Sequence, residues 1–99
     1  MKPRDIVFAP EAEADLLWIY DTIAAAADPA TAFRYIQRIE QKCGRLELGS
    51  ERGTKRDDVR PGLRIIGFER RATIAFTATA ERVEILRVFY GGVNWEERL

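Results

Sequence analysis

The sequence predicts an α+β fold in which an N-terminal strand and an antiparallel helical hairpin pack on a small antiparallel β-sheet. In the first half of the chain, apolar residues recur at helical spacing, and two prolines mark helix starts. In the second half, three short runs are rich in β-branched and aromatic residues, which is typical of strands. The 99 residues are predicted to form a single domain, residues 1–99, because one hydrophobic core commonly serves a chain of this length.

The first half is predicted to form one strand and two helices. Residues 5–8 form the strand, and Pro10 suits the first helical turn because its missing N–H has no partner there. Asp28 and Pro29 end this helix and begin the next one, which stops near Gly49. The two apolar stripes are Ala12, Leu16, Ile19, Ile23 and Ala26, then Ala32, Ile36, Ile39, Cys43 and Leu46. Because almost no loop separates the helices, they are predicted to form an antiparallel hairpin.

The second half is predicted to form the sheet. A polar loop, residues 49–62, comes first, and three strands follow with connections short enough only for antiparallel hairpins. We expect these strands at residues 63–68, 73–79 and 83–90. The last strand is apolar on both faces, which indicates a central position or a second face covered by a partner. Its final residue, Tyr90, is expected to be exposed beside two glycines, and residues 94–97 are expected to start a short helix.

Composition argues against several classes of function. The net charge is zero, from 16 Lys+Arg and 16 Asp+Glu, which disfavours general or sequence-specific nucleic-acid binding. The chain has no histidine and one cysteine, Cys43, so neither a metal site nor an intramolecular disulfide is expected. No apolar run approaches the ~20 residues of a membrane span. We therefore expect a cytoplasmic protein without metal, cofactor or membrane association.

The run from Arg60 to Arg64 (Arg-Pro-Gly-Leu-Arg) is the most specific segment of the chain. A turn before a strand is the favoured interpretation, because proline fixes φ and glycine permits a positive φ. The alternative is a basic cluster that binds a carboxylate or phosphate partner. Asp57 and Asp58 just before it are interpreted as solvated or capping residues, since neighbours in sequence do not make a convergent acid pair.

A second basic group follows one side of the second helix at i,i+4 spacing. It consists of Arg34, Arg38, Lys42 and Arg45. Most such rows are simply solvated, and the alternative is that an acidic partner segment lies across them. Trp18 and Trp95 lie away from the clearest apolar stripes. Core packing is favoured for both, while anchoring of a protein interface remains the alternative.

Three segments together carry a resemblance to a known family. They are residues 8–16, which open the first helix, residues 57–64, and residues 83–91 of the final strand. With them the chain, from Val7 to about Leu99, resembles the ParE branch of the RelE/ParE toxin superfamily. The resemblance implies a toxin of a type II toxin–antitoxin pair, neutralised by a ParD-like antitoxin and directed at DNA gyrase without catalysis. The chain departs from the family in having Ala9 where a serine is frequent, and Tyr90-Gly91-Gly92 where the strand often ends in histidine.

The resemblance and the basic residues together give two sets of candidate sites and no catalytic residue. Target contact is expected from Arg60, Arg64, Arg87 and Tyr90. Antitoxin contact is expected from Trp18, Arg34, Arg38 and Lys42. The alternative function is a RelE-type ribosome-dependent mRNA endonuclease, in which Lys55 would join the first set. The neutral charge and the absence of histidine favour the binding toxin. A toxin-like chain without remaining toxicity is a third possibility.

Overall fold

The fold places a helical hairpin on one face of a five-stranded sheet. The computed structural model describes residues 4–49 and 52–99. The elements in chain order are β1 (Asp5–Phe8), α1 (Pro10–Ala26), α2 (Pro29–Gly44), α3 (Leu46–Gly49), β2 (Thr54–Lys55), β3 (Arg64–Phe68), β4 (Ala72–Ala78), β5 (Arg82–Tyr90) and a 3-10 helix (Trp95–Arg98). Within these residues, every helix is too short or too polar to cross a membrane.

The two long helices begin where the sequence predicts. Pro10 lies in the first turn of α1, and the preceding Ala9 makes no side-chain capping bond. At the start of α2, Asp28 Oδ1 accepts a hydrogen bond from the N–H of Thr31 at 2.7 Å. This bond lowers the pKa of Asp28, because it stabilises the ionised carboxylate. Two residues, Ala27 and Asp28, separate the helices and enforce the predicted hairpin.

The sheet is mixed, with strand order β1-β5-β4-β3-β2. β2 to β5 pair antiparallel, whereas β1 pairs parallel to β5 with Phe8 opposite Ile85. The predicted α+β architecture is thus confirmed, and the N-terminal strand adds a parallel edge to the predicted antiparallel sheet. The two-residue strand β2 lies inside the predicted loop, where a segment so short gives no periodic signal.

The main core lies between the hairpin and the sheet. Its fully buried members include Ile19 and Ile39 from the helices and Ile74 and Phe76 from β4. Leu46 is buried with them, and Leu16, Ile23 and Ile36 pack against the cluster as partly buried residues. This arrangement confirms the predicted helical stripes except at Ala26, which is exposed at the end of α1. Burial of a large apolar side chain contributes roughly 1.5–3 kcal/mol relative to exposure, so this layer dominates the stability.

The opposite face of the sheet is covered by the chain itself. Leu86 and Phe89 of β5 form a second, smaller core with Leu63 and Ala75. Val59 from the loop before β3 and Val93, Trp95 and Leu99 from the C-terminal segment pack against it. The two-faced apolar pattern of β5 therefore reflects a central strand whose second face is covered by its own chain. Trp95 packs in a core as favoured from the sequence.

The outer edge of β5 is only half covered by β1. The parallel pairing ends at Phe8 and Ile85, and the N–H of Ala9 then donates to the carbonyl of Ile85 at 2.9 Å. A bulge follows, because Ala75 pairs with Arg87 and Phe76 with Ile85, which leaves Leu86 unpaired. The remaining edge of β5 faces the first helix. The candidate site lies there.

Candidate functional site

One carboxylate joins α1 to the uncovered half of β5. Asp15 accepts two bonds from the guanidinium of Arg87, from Nε to Oδ2 at 2.7 Å and from Nη2 to Oδ1 at 2.8 Å. Its Oδ2 also accepts the backbone N–H of Val88 at 2.9 Å, so a donor on the strand edge is satisfied. The hydrogen bonds that Arg87 donates to Asp15 raise the pKa of its guanidinium. We name this pair the Asp15–Arg87 fork; it is a bidentate, charge-assisted contact.

An aromatic row extends from the surface into the main core beside this fork. The ring of Trp18 meets Tyr90 edge-on at a centroid distance of 6.4 Å. Tyr90 in turn meets Tyr35 at 5.6 Å, and Tyr35 meets Phe68 at 5.6 Å. Such T-shaped pairs add to the energy of burial. Tyr90 is half-buried and packs against the main core, so the predicted exposed strand end is wrong.

Trp18 is the most exposed member of the aromatic row. Its side chain remains 56% exposed, so the favoured core interpretation is wrong for this residue. The reason is its position on α1, which lies off the buried stripe of Ala12 and Ile19. A large aromatic ring held at the surface by a neighbouring ring is a typical anchor for a protein partner.

Trp18, Tyr90 and Arg87 line one cleft of about 210 Å³, which we call the first cleft. The remaining lining residues are Asp15, Val88, Phe89, Val93 and Arg98. The Arg87 guanidinium lies 4.9 Å from the ring centroid of Phe89, which keeps it flat against the apolar surface. The first cleft thus combines aromatic walls with two guanidinium groups, those of Arg87 and Arg98.

A second cleft of about 300 Å³ lies on the other side of Tyr90 and includes Arg38, Glu69 and Arg71. The Arg38 guanidinium binds both oxygens of Glu69, from Nε at 2.8 Å and from Nη2 at 3.1 Å. We name this pair the Arg38–Glu69 fork. Its hydrogen bonds lower the pKa of Glu69 and raise that of Arg38. Arg38 also lies 5.3 Å from the ring centroid of Tyr35, so the fork covers the inner end of the aromatic row.

Glu69 is presented by a tight turn between β3 and β4. Glu69 and Arg70 both have positive φ, at 48° and 61°, and the N–H of Arg71 donates to the carbonyl of Phe68 at 3.1 Å. Two successive left-handed residues are the geometry of a type I′ hairpin turn, which glycine or asparagine normally occupies. Residues of other types pay a steric penalty there, and such strain is often found where a side chain has a function.

The segment before β3 is a turn, as favoured from the sequence. Asp57 Oδ1 accepts the N–H of Gly62 at 2.8 Å, and Gly62 has a φ of 80°. Arg56 binds Asp58 at 2.9 Å and Glu96 at 3.1 Å, and its guanidinium lies 5.0 Å from the ring centroid of Trp95. The two aspartates therefore stabilise the turn, and Arg56 ties it to the C-terminal 3-10 helix.

The four residues expected to contact the target do not form one group. Arg60 lines a third cleft of about 430 Å³ together with Arg87 and Arg98. Because the first cleft shares these two arginines and also contains Tyr90, the two clefts form a continuous surface, on which Glu11, Asp15 and Glu84 balance the charges of the three arginines. Arg64 lies apart, in a cleft of about 340 Å³ whose other basic residues are Arg4 and Lys55. The structure therefore brings Arg60, Arg87 and Tyr90 into one region and leaves Arg64 elsewhere.

The residues expected to contact the antitoxin also lie in more than one place. Trp18 lies on α1 in the first cleft, next to the expected target residue Tyr90. On α2, Arg38 is bound to Glu69, whereas Arg34 is exposed and lies 3.5 Å from the Thr31 hydroxyl. Lys42 is half-buried farther along the helix. The two expected sets thus overlap in space around Tyr90.

Sequence reasoning missed five residues of these clefts. They are Asp15, Tyr35, Glu69, Arg71 and Arg98. Asp15 could not be paired with Arg87 from the sequence, because its partner is 72 positions away and leaves no local signal. Helical spacing places Tyr35 three residues after the buried Ala32, on the core side of α2, and this was an available signal. The arginines at positions 71 and 98 could be grouped only once the fold was known.

The described residues contain no chemistry typical of a metal or thiol site. Residues 4–49 and 52–99 include no cluster of three His, Cys, Asp or Glu side chains that could hold a metal ion. Cys43 is buried in the main core, and burial raises the pKa of its thiol to about 12. A thiol held neutral is a poor nucleophile, so Cys43 acts as a packing residue.

Comparisons with known proteins agree with the fold. A family model described as "ParE toxin of type II toxin-antitoxin system, parDE" matches residues 6–95. The chain is similar to a solved structure titled "Chromosomal ParDE TA system from P. aeruginosa", with a TM-score of 0.77 and 26% sequence identity. That match covers 89% of this chain and 96% of the other. No curated protein matches the chain.

Proposed function

Because the chain belongs to the ParE toxin family of type II toxin–antitoxin systems, we propose that a ParD-like antitoxin neutralises it and that its target is DNA gyrase. The proposed action is binding rather than catalysis, in the cytoplasm. The observation that carries the proposal is the first cleft, where an exposed tryptophan and a tyrosine lie beside two arginines. Aromatic and arginine side chains are the residues that most often dominate protein–protein binding energy.

The antitoxin is proposed to bind along the aromatic row. Trp18 supplies a rigid apolar anchor with 56% of its surface available. Arg34 and Lys42 lie on α2, the helix that carries Tyr35, and the Arg38–Glu69 fork lies beside the Tyr35 ring. An acidic, partly helical segment fits this surface, because it pairs apolar contact with opposite charge. Segments that fold only on binding also suit a partner that proteolysis must remove.

The target is proposed to bind the continuous surface around Arg60, Arg87 and Tyr90, which carries three arginines and three carboxylates. This surface overlaps the antitoxin region, because Trp18 and Tyr90 are in ring contact and line the same cleft. An antitoxin that covers Trp18 would therefore cover Tyr90 as well. Neutralisation then follows from competition for one surface. Arg64 is proposed to contact the target outside this surface, since it lines a separate cleft.

The available side chains favour binding over RNA cleavage. The alternative, a RelE-type mRNA endonuclease, would need Lys55, Tyr90 or a carboxylate such as Glu84 to move a proton near neutral pH, since the chain has no histidine. These three residues line different clefts. Arginines can stabilise a phosphate but stay protonated. The proposed function therefore assigns no catalytic residue.

A parallel assay tests the target. Purified protein is incubated with gyrase and relaxed DNA, and separately with ribosomes that carry mRNA. We expect inhibited supercoiling or trapped DNA breaks, with intact mRNA. The matched variants are Arg60→Gln, which should weaken inhibition about tenfold, and Arg82→Gln, which should not, because Arg82 is exposed at the far end of β5. Cleaved mRNA with unaffected gyrase would replace the proposal with the endonuclease.

A second experiment tests the antitoxin surface. The chain is coexpressed with a ParD-like antitoxin, and the affinity is measured by calorimetry. Trp18→Ala should lower the affinity by at least about 30-fold, as expected for a hot-spot residue. Leu17→Ala is the matched control, because Leu17 is also an exposed apolar residue of α1, at 68% exposure. Equal losses in both variants would show that the first cleft is not the specific site.

A further inference from the structure

The second cleft contains a buried polar atom without a partner. Tyr35 is only 5% exposed, and its hydroxyl oxygen is buried without a hydrogen bond to any described residue. Buried hydroxyl groups are almost always bonded, because an unpaired one loses its bonds to water without replacement. Tyr35 lines the second cleft together with Arg38, Glu69, Arg71 and Tyr90. The residue with the unpaired donor is therefore part of the cleft that these side chains line.

The charges around the cleft leave one positive group in excess. Arg38 and Glu69 neutralise each other through their bidentate contact. Arg71 is exposed on the same cleft and makes no ion pair with an acid in residues 4–49 or 52–99. The cleft thus offers one unpaired guanidinium beside one unpaired hydroxyl donor. A single negative charge with two oxygen acceptors complements this pair.

We propose that this cleft is a carboxylate subsite, which receives one Asp or Glu side chain of the antitoxin segment. The assignment of the occupant rests on the proposed function. The Tyr35 hydroxyl donates a hydrogen bond to one carboxylate oxygen, and Arg71 donates to the other. A volume of about 300 Å³ accommodates such a side chain. A phosphate dianion fits less well, because the excess charge is a single positive group and Glu69 lies in the same wall.

Tyr90 links the two clefts. The half-buried Tyr90 ring lies 5.6 Å from that of Tyr35 and forms one wall of both clefts. Since Trp18 is in ring contact with Tyr90, a segment that packs on Trp18 also contacts a residue that lines the second cleft. The subsite therefore couples apolar anchoring in the first cleft to recognition of charge in the second.

A titration with acetate tests the subsite without any antitoxin. The protein is labelled with ring-¹³C tyrosine, which gives signals from three tyrosines only. Acetate is added at constant ionic strength with sodium chloride, and acetamide is the neutral probe of the same shape. We expect saturable shifts of the Tyr35 and Tyr90 signals with acetate, small shifts of Tyr20, and no saturation with acetamide. Unchanged Tyr35 signals would overturn the proposal.

Two variants in one turn provide the matched comparison. Arg71→Gln should weaken acetate binding at least about fivefold, because it removes the charged donor. Arg70→Gln removes the same charge one position away, outside the lining of the cleft, and should change the affinity less than about twofold. Equal effects of the two variants would mean that acetate responds only to general charge, which would also refute a specific subsite.

Tyr35→Phe separates the subsite from the proposed function. The melting temperature should stay equal or rise, because the hydroxyl makes no bond in the free protein. Antitoxin affinity should fall about tenfold, as expected for a lost bond to a carboxylate. If the antitoxin binds the variant and the natural chain equally, the subsite is refuted and neutralisation stands. If the antitoxin binds neither, the proposed function fails, and the acetate titration alone decides the subsite.

Discussion

The two arginine–carboxylate forks have the same bidentate geometry but belong to different parts of the structure. In the Asp15–Arg87 fork, the side chains are 15% and 25% exposed, and one carboxylate oxygen also holds the backbone N–H of Val88. In the Arg38–Glu69 fork, they are 46% and 44% exposed, and Glu69 lies on a strained turn. The first fork joins α1 to a strand edge, whereas the second joins α2 to a surface turn.

This difference shows which arginine a partner can use. A partner that takes the guanidinium of Arg87 must leave Asp15 and the N–H of Val88 without their bonds, which is costly in a partly buried place. A partner that takes Arg38 needs only to displace Glu69, which water can then solvate. We therefore expect Arg87 to contribute to binding through the face of its guanidinium, and Arg38 to be able to exchange its partner.

The largest effect is expected from Asp15→Ala. The change leaves the Arg87 guanidinium and the Val88 N–H without an acceptor at a partly buried site, so the free energy of unfolding should fall by about 2–3 kcal/mol. Urea unfolding followed by circular dichroism measures this loss. Asp15→Asn is the control, because its amide oxygen can still accept the N–H of Val88, and it should lose only part of the stability. A loss within experimental error for Asp15→Ala would show that this fork is not structural.

A smaller effect of opposite sign is expected from Arg70→Gly. Arg70 has a φ of 61°, and glycine adopts that conformation without the steric penalty of a Cβ atom. The free energy of unfolding should rise by up to about 1 kcal/mol. Glu69→Gly gives the same relief at the neighbouring position but removes the Arg38–Glu69 fork. If the free energy of unfolding rises less for Glu69→Gly than for Arg70→Gly, the difference measures what this fork contributes. Destabilisation by Arg70→Gly would contradict the strain argument.

Local sequence patterns predicted most of the fold, because they report on local geometry. The prolines at positions 10 and 29 marked helix starts, and the helical stripes identified Ile19 and Ile39 as core residues. The parallel pairing of β1 with β5 was not predicted, because Phe8 and Ile85 meet only through the whole intervening chain. Strand β2 was missed because two residues carry no period.

The candidate site was less accessible from sequence for the same reason. Trp18 and Tyr90 were singled out separately, as antitoxin and target residues, and only the fold shows that their rings touch. The row Arg34, Arg38 and Lys42 seemed uniform in sequence, yet a turn 31 residues away supplies a carboxylate to one member only. Pairings of this kind depend on tertiary contacts, which a single sequence does not encode in any short window.

The smallest effect is expected from protonation of Glu69. Hydrogen bonds from Arg38 hold the pKa of Glu69 below its ordinary value of 4.5 in the folded protein. The folded state thus binds fewer protons than the unfolded state, so this stabilisation is present above about pH 4.5 and is lost as the pH falls through the folded pKa. Melting temperatures of the natural chain and Glu69→Gln should differ by no more than about 2 °C at pH 6 and should converge toward pH 3. Asp28, whose pKa is also lowered, is present in both proteins and cancels from the difference. A difference in melting temperature that stays constant with pH would mean that Glu69 acts through its shape rather than its charge. The comparison would then give no reason to expect Arg38 to exchange its partner more readily than Arg87 does.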